Sequence, residues 1–374
     1  MQWVTDSSQP ASYISSSDFY VSIAPNGCYI AVVSLKHDEQ AYSIDIFSAS
    51  GTPINSIPWL NSIGTVVSIG WTHDCCPIIV LNSGKYRIYH DIKSDFDEYD
   101  ISSNSDIISA QFSTDFFAAM ASDGEFHFIT KFDNPSGFTL NSAKSDDEIS
   151  DLKITASDIH SWVVIPPSRN HGTLRVAASI SEKICVWDQA SPDLTESVDR
   201  ECSYSLMAVS PNNELIALYS YMQGEITICT TDFKHTLNVQ KLDTLMKPSE
   251  ICWCGNDAVV ISYPDELKLI GPTKDILSFY TNSKSVIRSE EDGAFFLTDS
   301  TLGLISRVSK VTSNVFKIGS TAPSAILLDA VDLLDNHSPR ANENIEIIAD
   351  NLEEAIDGCI DAAAEEFEPY WQKR

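Results

Sequence analysis

Ala24-Pro25-Asn26-Gly27-Cys28-Tyr29-Ile30-Ala31-Val32 recurs as Ser210-Pro211-Asn212-Asn213-Glu214-Leu215-Ile216-Ala217-Leu218. In each copy a Pro leads into Asn-Gly or Asn-Asn, residues suited to a tight turn, and then into an apolar run. The copies lie 186 positions apart. That is four repeats of roughly 46 residues, a spacing typical of propeller blades. The recurrence sets the expected fold class: all-β, a WD-like β-propeller.

The surrounding sequence supports the repeat. Short apolar runs alternate with Gly, Asn, Asp, Ser and Pro, the pattern of many short strands. A first unit runs through Tyr20–Ile23, Tyr29–Val33, Ser43–Phe47 and an outer strand near Ile54 to Trp59. A second starts at Val66–Trp71 and continues through Pro77–Leu81 and Tyr86–Tyr89. A third has Ile107–Phe112, then a hairpin of Phe116–Ala121 and Phe126–Ile129, with Phe126 and Phe128 on one face and His127 on the other. Asn134–Asp151 is polar and acidic and reads as a long loop. The fourth unit is less regular and ends in Lys183-Ile184-Cys185-Val186-Trp187-Asp188, the form of a WD-type repeat ending. Three more units follow, giving seven; six result if the fourth stretch is parsed differently. Four strands per unit at this period favour a propeller over a sandwich, because closing the ring leaves only short, protected edges.

After Ser320 the period changes. Residues 1–320 read as the propeller and 321–374 as a helical segment that begins an α-solenoid. Pro323 suits the first turn of a helix, with Thr321 as its cap. A break falls at Asn336-His337-Ser338-Pro339. A second helix is expected from about Glu343 to Phe367, with an apolar stripe of Ile345, Ile348, Leu352, Ile356, Cys359, Ala363 and Phe367. A lone helix pair buries such a stripe poorly, so these seven residues are the candidate helix-packing or partner interface.

The net charge of −29 works against nucleic acid and anionic lipid as partners. No run of 18 apolar residues points to a membrane span, and the N-terminus lacks the basic-then-apolar form of a secretory signal. The nine Cys are an odd number without zinc-knuckle spacing. Small buried hydrophobes in a reducing cytosol account for them.

Catalytic motifs are missing: no phosphate-binding loop, dinucleotide Gly cluster or nucleophile elbow is found, and no His pair has metal-ligand spacing. Ser122-Asp123-Gly124 shares part of a sialidase aspartate box but lacks the aromatic continuation, so it reads as a hairpin turn, as does Glu291-Asp292-Gly293. Asp146-Asp147 and Glu353-Glu354 read as solvated charge, without the apolar setting that raises a carboxyl pKa. Asn336-His337-Ser338 is a glycosylation sequon of the kind chance supplies. No catalytic residue, metal site or cofactor is expected, and the chain reads as a non-enzyme.

Ile44-Asp45-Ile46-Phe47-Ser48-Ala49-Ser50-Gly51, followed by Val66-Val67-Ser68-Ile69-Gly70-Trp71, resembles the N-terminal region of the vacuolar protein sorting-associated protein 16 family. So do the block from Val315 to Ala330 and Cys359-Ile360-Asp361-Ala362-Ala363-Ala364. Residues from about Asn134 to Tyr280 diverge and rest on repeat pattern alone. The resemblance implies a scaffold subunit of the class C core of the HOPS and CORVET tethering complexes. Such a subunit is cytoplasmic and peripheral on endosome and vacuole or lysosome membranes, and acts before SNARE-mediated fusion. It also implies a propeller followed by a long α-solenoid that docks a Sec/Munc-type SNARE chaperone, this chain being an N-terminal fragment of the larger subunit. A propeller–solenoid component of a vesicle coat or nuclear pore has the same architecture. An enzyme using the central channel would need converging carboxylates with Tyr or Arg at one mouth, and the sequence presents no such set.

Overall fold

The two Pro-Asn turns take one form. Gly27 and Asn213, equivalent in the repeat, both adopt left-handed backbone, at φ 63° and 59°. The Gly27 N–H donates to Ala24 O at 3.0 Å and the Asn213 N–H to Ser210 O at 2.8 Å. In the next rung Ala24 N donates to Tyr29 O and Ser210 N to Leu215 O, both at 2.9 Å. Gly has no Cβ to clash at positive φ, and Asn is among the few other residues that tolerate it.

In this computed structural model the described residues are 19–34, 41–93, 95–101, 103–140, 154–168, 172–242, 246–272 and 275–365. Their strands form seven antiparallel sheets, a seven-bladed β-propeller. Blade 1 holds β1 (Phe19–Ile23), β2 (Tyr29–Ser34), β3 (Ala41–Ser48) and β4 (Pro53–Leu60). Blade 2 holds β5 (Val66–Trp71), β6 (Pro77–Leu81), β7 (Lys85–Tyr89) and β8 (Phe96–Asp100). Blade 3 holds β9 (Ile107–Phe112), β10 (Phe116–Ala121), β11 (Phe126–Thr130) and β12 (Ser136–Leu140). Blade 4 holds β13 (Ile159–Ile165), β14 (Arg175–Ile180), β15 (Lys183–Asp188) and β16 (Ser191–Asp199). Blade 5 holds β17 (Leu206–Val209), β18 (Leu215–Ser220), β19 (Glu225–Thr230) and β20 (Thr236–Lys241). Blade 6 holds β21 (Glu250–Cys254), β22 (Ala258–Ser262), β23 (Glu266–Ile270) and β24 (Ile276–Tyr280), and blade 7 holds β25 (Val286–Ser289), β26 (Gly293–Leu297) and β27 (Leu302–Ser306). Each blade is a sequential meander. The two Pro-Asn turns fall in blades 1 and 5, four blades apart.

Second strands such as β6 and β10 are apolar and buried along their whole length because neighbouring blades cover both of their faces. Phe126 and Phe128 pack with Trp162 and Trp187 between blades 3 and 4. The expected loop at Asn134–Asp151 contains β12, whose Phe138 stacks on Phe128 at 4.8 Å with rings nearly parallel. Ser, Gly and Thr around that single aromatic hid a half-exposed outer strand; residues 141–153 lie outside the described set.

Two compact units divide at Ile305 and Ser306. The second unit begins its helices earlier than the change of period read after Ser320, with α1 (Lys310–Phe316) capped by Ser309 Oγ, which accepts from Thr312 N at 3.1 Å. Seven residues with no apolar stripe left that helix illegible. It is followed by α2 (Pro323–Asp335), α3 (Arg340–Ile347) and α4 (Leu352–Glu365). Pro323 opens α2 as expected, but Ala322 rather than Thr321 holds the cap position, without a side-chain bond. The single helix read from Glu343 to Phe367 is two, split by a tight turn at Ala349–Asn351, where Asp and Asn compete with the helix for backbone hydrogen bonds.

Candidate functional site

The mouth of the propeller's central channel is a cavity of about 740 Å³, lined from six blades by residues including Asn26, His73, Gln111, Phe112, Arg288 and Glu290. Three of its polar side chains, Gln111, Arg288 and Glu290, tie blades together. Gln111 Nε2 donates to Trp162 O at 2.6 Å, and Gln111 Oε1 accepts from Val164 N at 3.2 Å, joining blades 3 and 4. Arg288 donates from one terminal nitrogen to Ile23 O at 2.6 Å and from Nε to Glu290 Oε1 at 3.2 Å. The same Glu290 oxygen accepts from Asn26 N at 3.1 Å. This cluster closes the ring between blades 7 and 1.

A second set of links comes from tryptophan. Trp71, Trp162 and Trp253 sit on the inner strands of blades 2, 4 and 6. Their indole N–H groups donate to Ser22 Oγ, Ser109 Oγ and Ala208 O of blades 1, 3 and 5, at 3.0, 2.9 and 2.9 Å. The three are 91 residues apart in each step. That interval, two blades long, is a repeat signal our sequence reading missed. A buried indole N–H needs an acceptor, so each Trp fixes one blade's register against its neighbour.

The WD-type ending at Asp188 is structural. Asp188 accepts from Arg175 Nε and Thr173 Oγ1 at 2.9 Å and from Ala190 N at 2.8 Å. Burial works to raise its carboxyl pKa, but these bonds outweigh burial and hold it below the usual range. Asp123 follows the same logic in its hairpin turn: burial opposes, and bonds from Ser105 Oγ and Glu125 N prevail. His127 is buried, with Nδ1 3.0 Å from Thr139 Oγ1, and burial lowers its pKa. All nine thiols are free. Cys28 Sγ lies 3.0 Å from Cys75 Sγ, and burial together with that contact pushes the Cys75 thiol up to about 12. Among the described residues no group of three or more His, Cys, Asp or Glu could hold a metal ion.

In the second unit the expected stripe divides between two faces. Ile348 is 2% exposed and packed inside. On α4 the inward face is Ala355, Gly358, Cys359 and Ala362, small residues at helical spacing. Gly358 explains their size: a Cβ there would stand 3.1 Å from Ser324 Cβ of α2, so the two helices meet too closely for branched side chains. Cys359 Sγ donates to Ser324 O at 3.4 Å. Leu352 at 38% exposed and Ile356 at 44% instead face outward with Ile360, and Ile345 of α3 is also exposed. Ala363 is half-buried, and Phe367 lies outside the described residues.

Fold and site together define a seven-bladed propeller protein with an attached helical unit, with Gln111, Arg288 and Glu290 of the channel mouth joining blades. The chain matches the family described as "Vps16, N-terminal region" over residues 8–374, and it belongs to that family. A vacuolar protein sorting-associated protein 16 homolog of Schizosaccharomyces pombe is 28% identical over 96% of this chain and 44% of its own length. VACUOLELESS1 of Arabidopsis thaliana is 24% identical over 90% of this chain and 41% of its own. Vacuolar protein sorting-associated protein 16 of Saccharomyces cerevisiae is 40% identical over 42% of this chain. The chain thus spans less than half the length of these relatives. Among solved structures, the Cps50 (Swd1) β-propeller domain of Myceliophteria thermophila superposes with a TM-score of 0.55 at 10% identity, over 78% of this chain and 97% of that one. Virginiamycin B lyase of Staphylococcus aureus does so at 0.56 and 12%, over 79% and 97%. At such identities the likeness is one of fold alone. No helix of the described residues is long and apolar enough to cross a membrane.

Proposed function

We propose that this chain acts in vacuolar protein sorting as a non-enzymatic scaffold, working through protein contacts. The family match along nearly its whole length carries the reading. The use of Gln111, Arg288 and Glu290 at the channel mouth to join blades supports it. In finer detail, the propeller is a rigid docking module of a tethering complex, the class C core of HOPS and CORVET, peripheral on endosome and vacuole or lysosome membranes before SNARE-mediated fusion. Residues 321–374 open a solenoid, and the outward Leu352 and Ile356 join its continuation or a partner. The Sec/Munc-type chaperone binds further along the longer chain. The family match favours this role over a coat or pore component of like architecture.

The test is co-purification of residues 1–374, and of the longer chain, with the other core subunits and the Sec/Munc-type protein. Capture of core subunits, with the Sec/Munc-type protein held by the longer chain alone, is the expected result. Failure of both chains to capture any core subunit would overturn the proposal.

A further inference from the structure

Five of the nine cysteines are buried, while Cys28, Cys75, Cys76 and Cys359 are only partly so. Among these four, Cys28 and Cys75 bring their sulfurs together, 3.0 Å apart across the boundary of blades 1 and 2. Each sits in a tight turn between the first two strands of its blade. The Cys75 N–H donates to Thr72 O at 3.0 Å, and Cys75 holds left-handed backbone at φ 58°, a costly conformation for a residue with a Cβ. Ala49 N donates to Cys28 O at 3.1 Å. Backbone bonding thus fixes both residues. The two sulfurs share one carbonyl, Pro25 O, at 3.1 Å from Cys28 Sγ and 3.8 Å from Cys75 Sγ. Cys76, next along the chain, turns elsewhere, with its sulfur 3.5 Å from His90 O.

We infer that Cys28 and Cys75 are an oxidation site, forming a reversible disulfide that ties blade 1 to blade 2 in the presence of hydrogen peroxide. One sulfur, as thiolate, attacks a peroxide oxygen. An S–O bond forms, the O–O bond breaks, and the hydroxide released takes up the thiol's proton as water. The second sulfur attacks the resulting sulfenic acid. The S–S bond forms, the S–O bond breaks, and hydroxide leaves with the second thiol's proton as another water. Two electrons pass from the thiols to the peroxide.

The sulfurs need close by only about 1 Å to reach bonding distance. A metal ion fits them less well. Two thiolates on a zinc-like ion stand about 3.8–4.6 Å apart, and among the described residues no third ligand joins this pair. Burial, with the neighbouring sulfur, raises the Cys75 pKa, so little thiolate is available from it at neutral pH and the bond forms slowly. Where glutathione is kept reduced, the pair stays a dithiol. Pro25 and Asn26 of one turn and His73 of the other line the channel mouth, so the bond also fixes that rim. The inference goes beyond the scaffold role proposed above and does not depend on which assembly the chain joins.

The test treats the full chain with hydrogen peroxide, blocks the remaining thiols and maps the protein with trypsin without reduction. Trypsin yields residues 1–36, carrying Cys28, and 37–85, carrying Cys75 and Cys76. These two peptides should be joined, and dithiothreitol should separate them. Cys75→Ser should abolish the link and Cys76→Ser should leave it. The link should raise the thermal midpoint of the propeller by roughly 5 °C, as for a loop closed over 47 positions. Cys28→Ser should show no such rise. Oxidation to sulfinic or sulfonic acid without a link would overturn the inference. So would a link that is lost in Cys76→Ser and kept in Cys75→Ser, or a midpoint unmoved by the link once formed.

Discussion

Gly70 is the sharpest test of the packing between blades. It lies buried on β5, and a Cβ built on it would stand 2.0, 2.1 and 2.5 Å from three ring atoms of Phe112 on β9. Ordinary carbon contacts are about 3.5–4 Å, so Gly70→Ala forces the ring back by roughly 1.5 Å. Behind Phe112 stands Phe117, fully buried, with ring centroids 5.6 Å apart. The ring's one open side is the channel-mouth cavity, which Phe112 lines. It can swing there only by giving up contacts with both neighbours. Overpacking of this kind costs about 1–3 kcal/mol. Taking about 2 kcal/mol, the thermal midpoint of Gly70→Ala should fall by roughly 2–4 °C for a propeller of this size. Phe112→Ala alone loses packing and is also destabilising. In the double variant the new methyl occupies space the ring has left, so the two costs should fall short of their sum by about 1–2 kcal/mol. Denaturant unfolding of parent, single and double variants measures this. A Gly70→Ala protein within about 0.5 kcal/mol of the parent, or strictly additive costs, would refute the reasoning.

Asp188→Asn should cost about 1–3 kcal/mol, because Arg175 loses its charged partner at a largely buried site. The Asp188 carboxyl is held low in the folded state. Its contribution is therefore present above the unfolded value of about 3.9 and is lost as pH falls through the folded one. Acid titration of the midpoint should be steeper for the parent than for Asp188→Asn, and parallel curves would count against the assignment. At the blade 5 turn, Asn213→Gly should leave stability level or slightly raised, whereas Asn213→Val should lose about 1–2 kcal/mol from a β-branched residue at φ 59°; calorimetry separates them. In the helical unit, Ile348→Asp should lose several kcal/mol of local stability by burying a charge, while Leu352→Asp should cost under about 1 kcal/mol in this chain. Hydrogen exchange across α2 to α4 reads that contrast, and similar protection in both variants would show the assignment of faces to be wrong.

The sequence by itself determined the class of fold. The Pro-Asn turns recur because one backbone geometry, with left-handed residues at Gly27 and Asn213, is required at each copy, and few residue types satisfy it. Buried strands such as Phe116–Ala121 are apolar throughout and cannot be disguised. Pro323 marked the start of α2 for the same local reason, a fixed φ and a missing N–H. Less was legible where identity depends on a neighbour. The outer strand β12 is half-exposed, and its assignment rests on Phe138 meeting Phe128. Of the apolar helical stripe, the pattern gave the spacing but not the face. Only the close approach of Gly358 to Ser324 decided that small residues turn inward and Leu352 and Ile356 outward. The channel mouth and the contact between α2 and α4 were beyond the sequence for a stronger reason. Gln111 and Trp162, Arg288 and Ile23, and Ser324 and Cys359 are far apart along the chain, and only ring closure or helix packing brings them together.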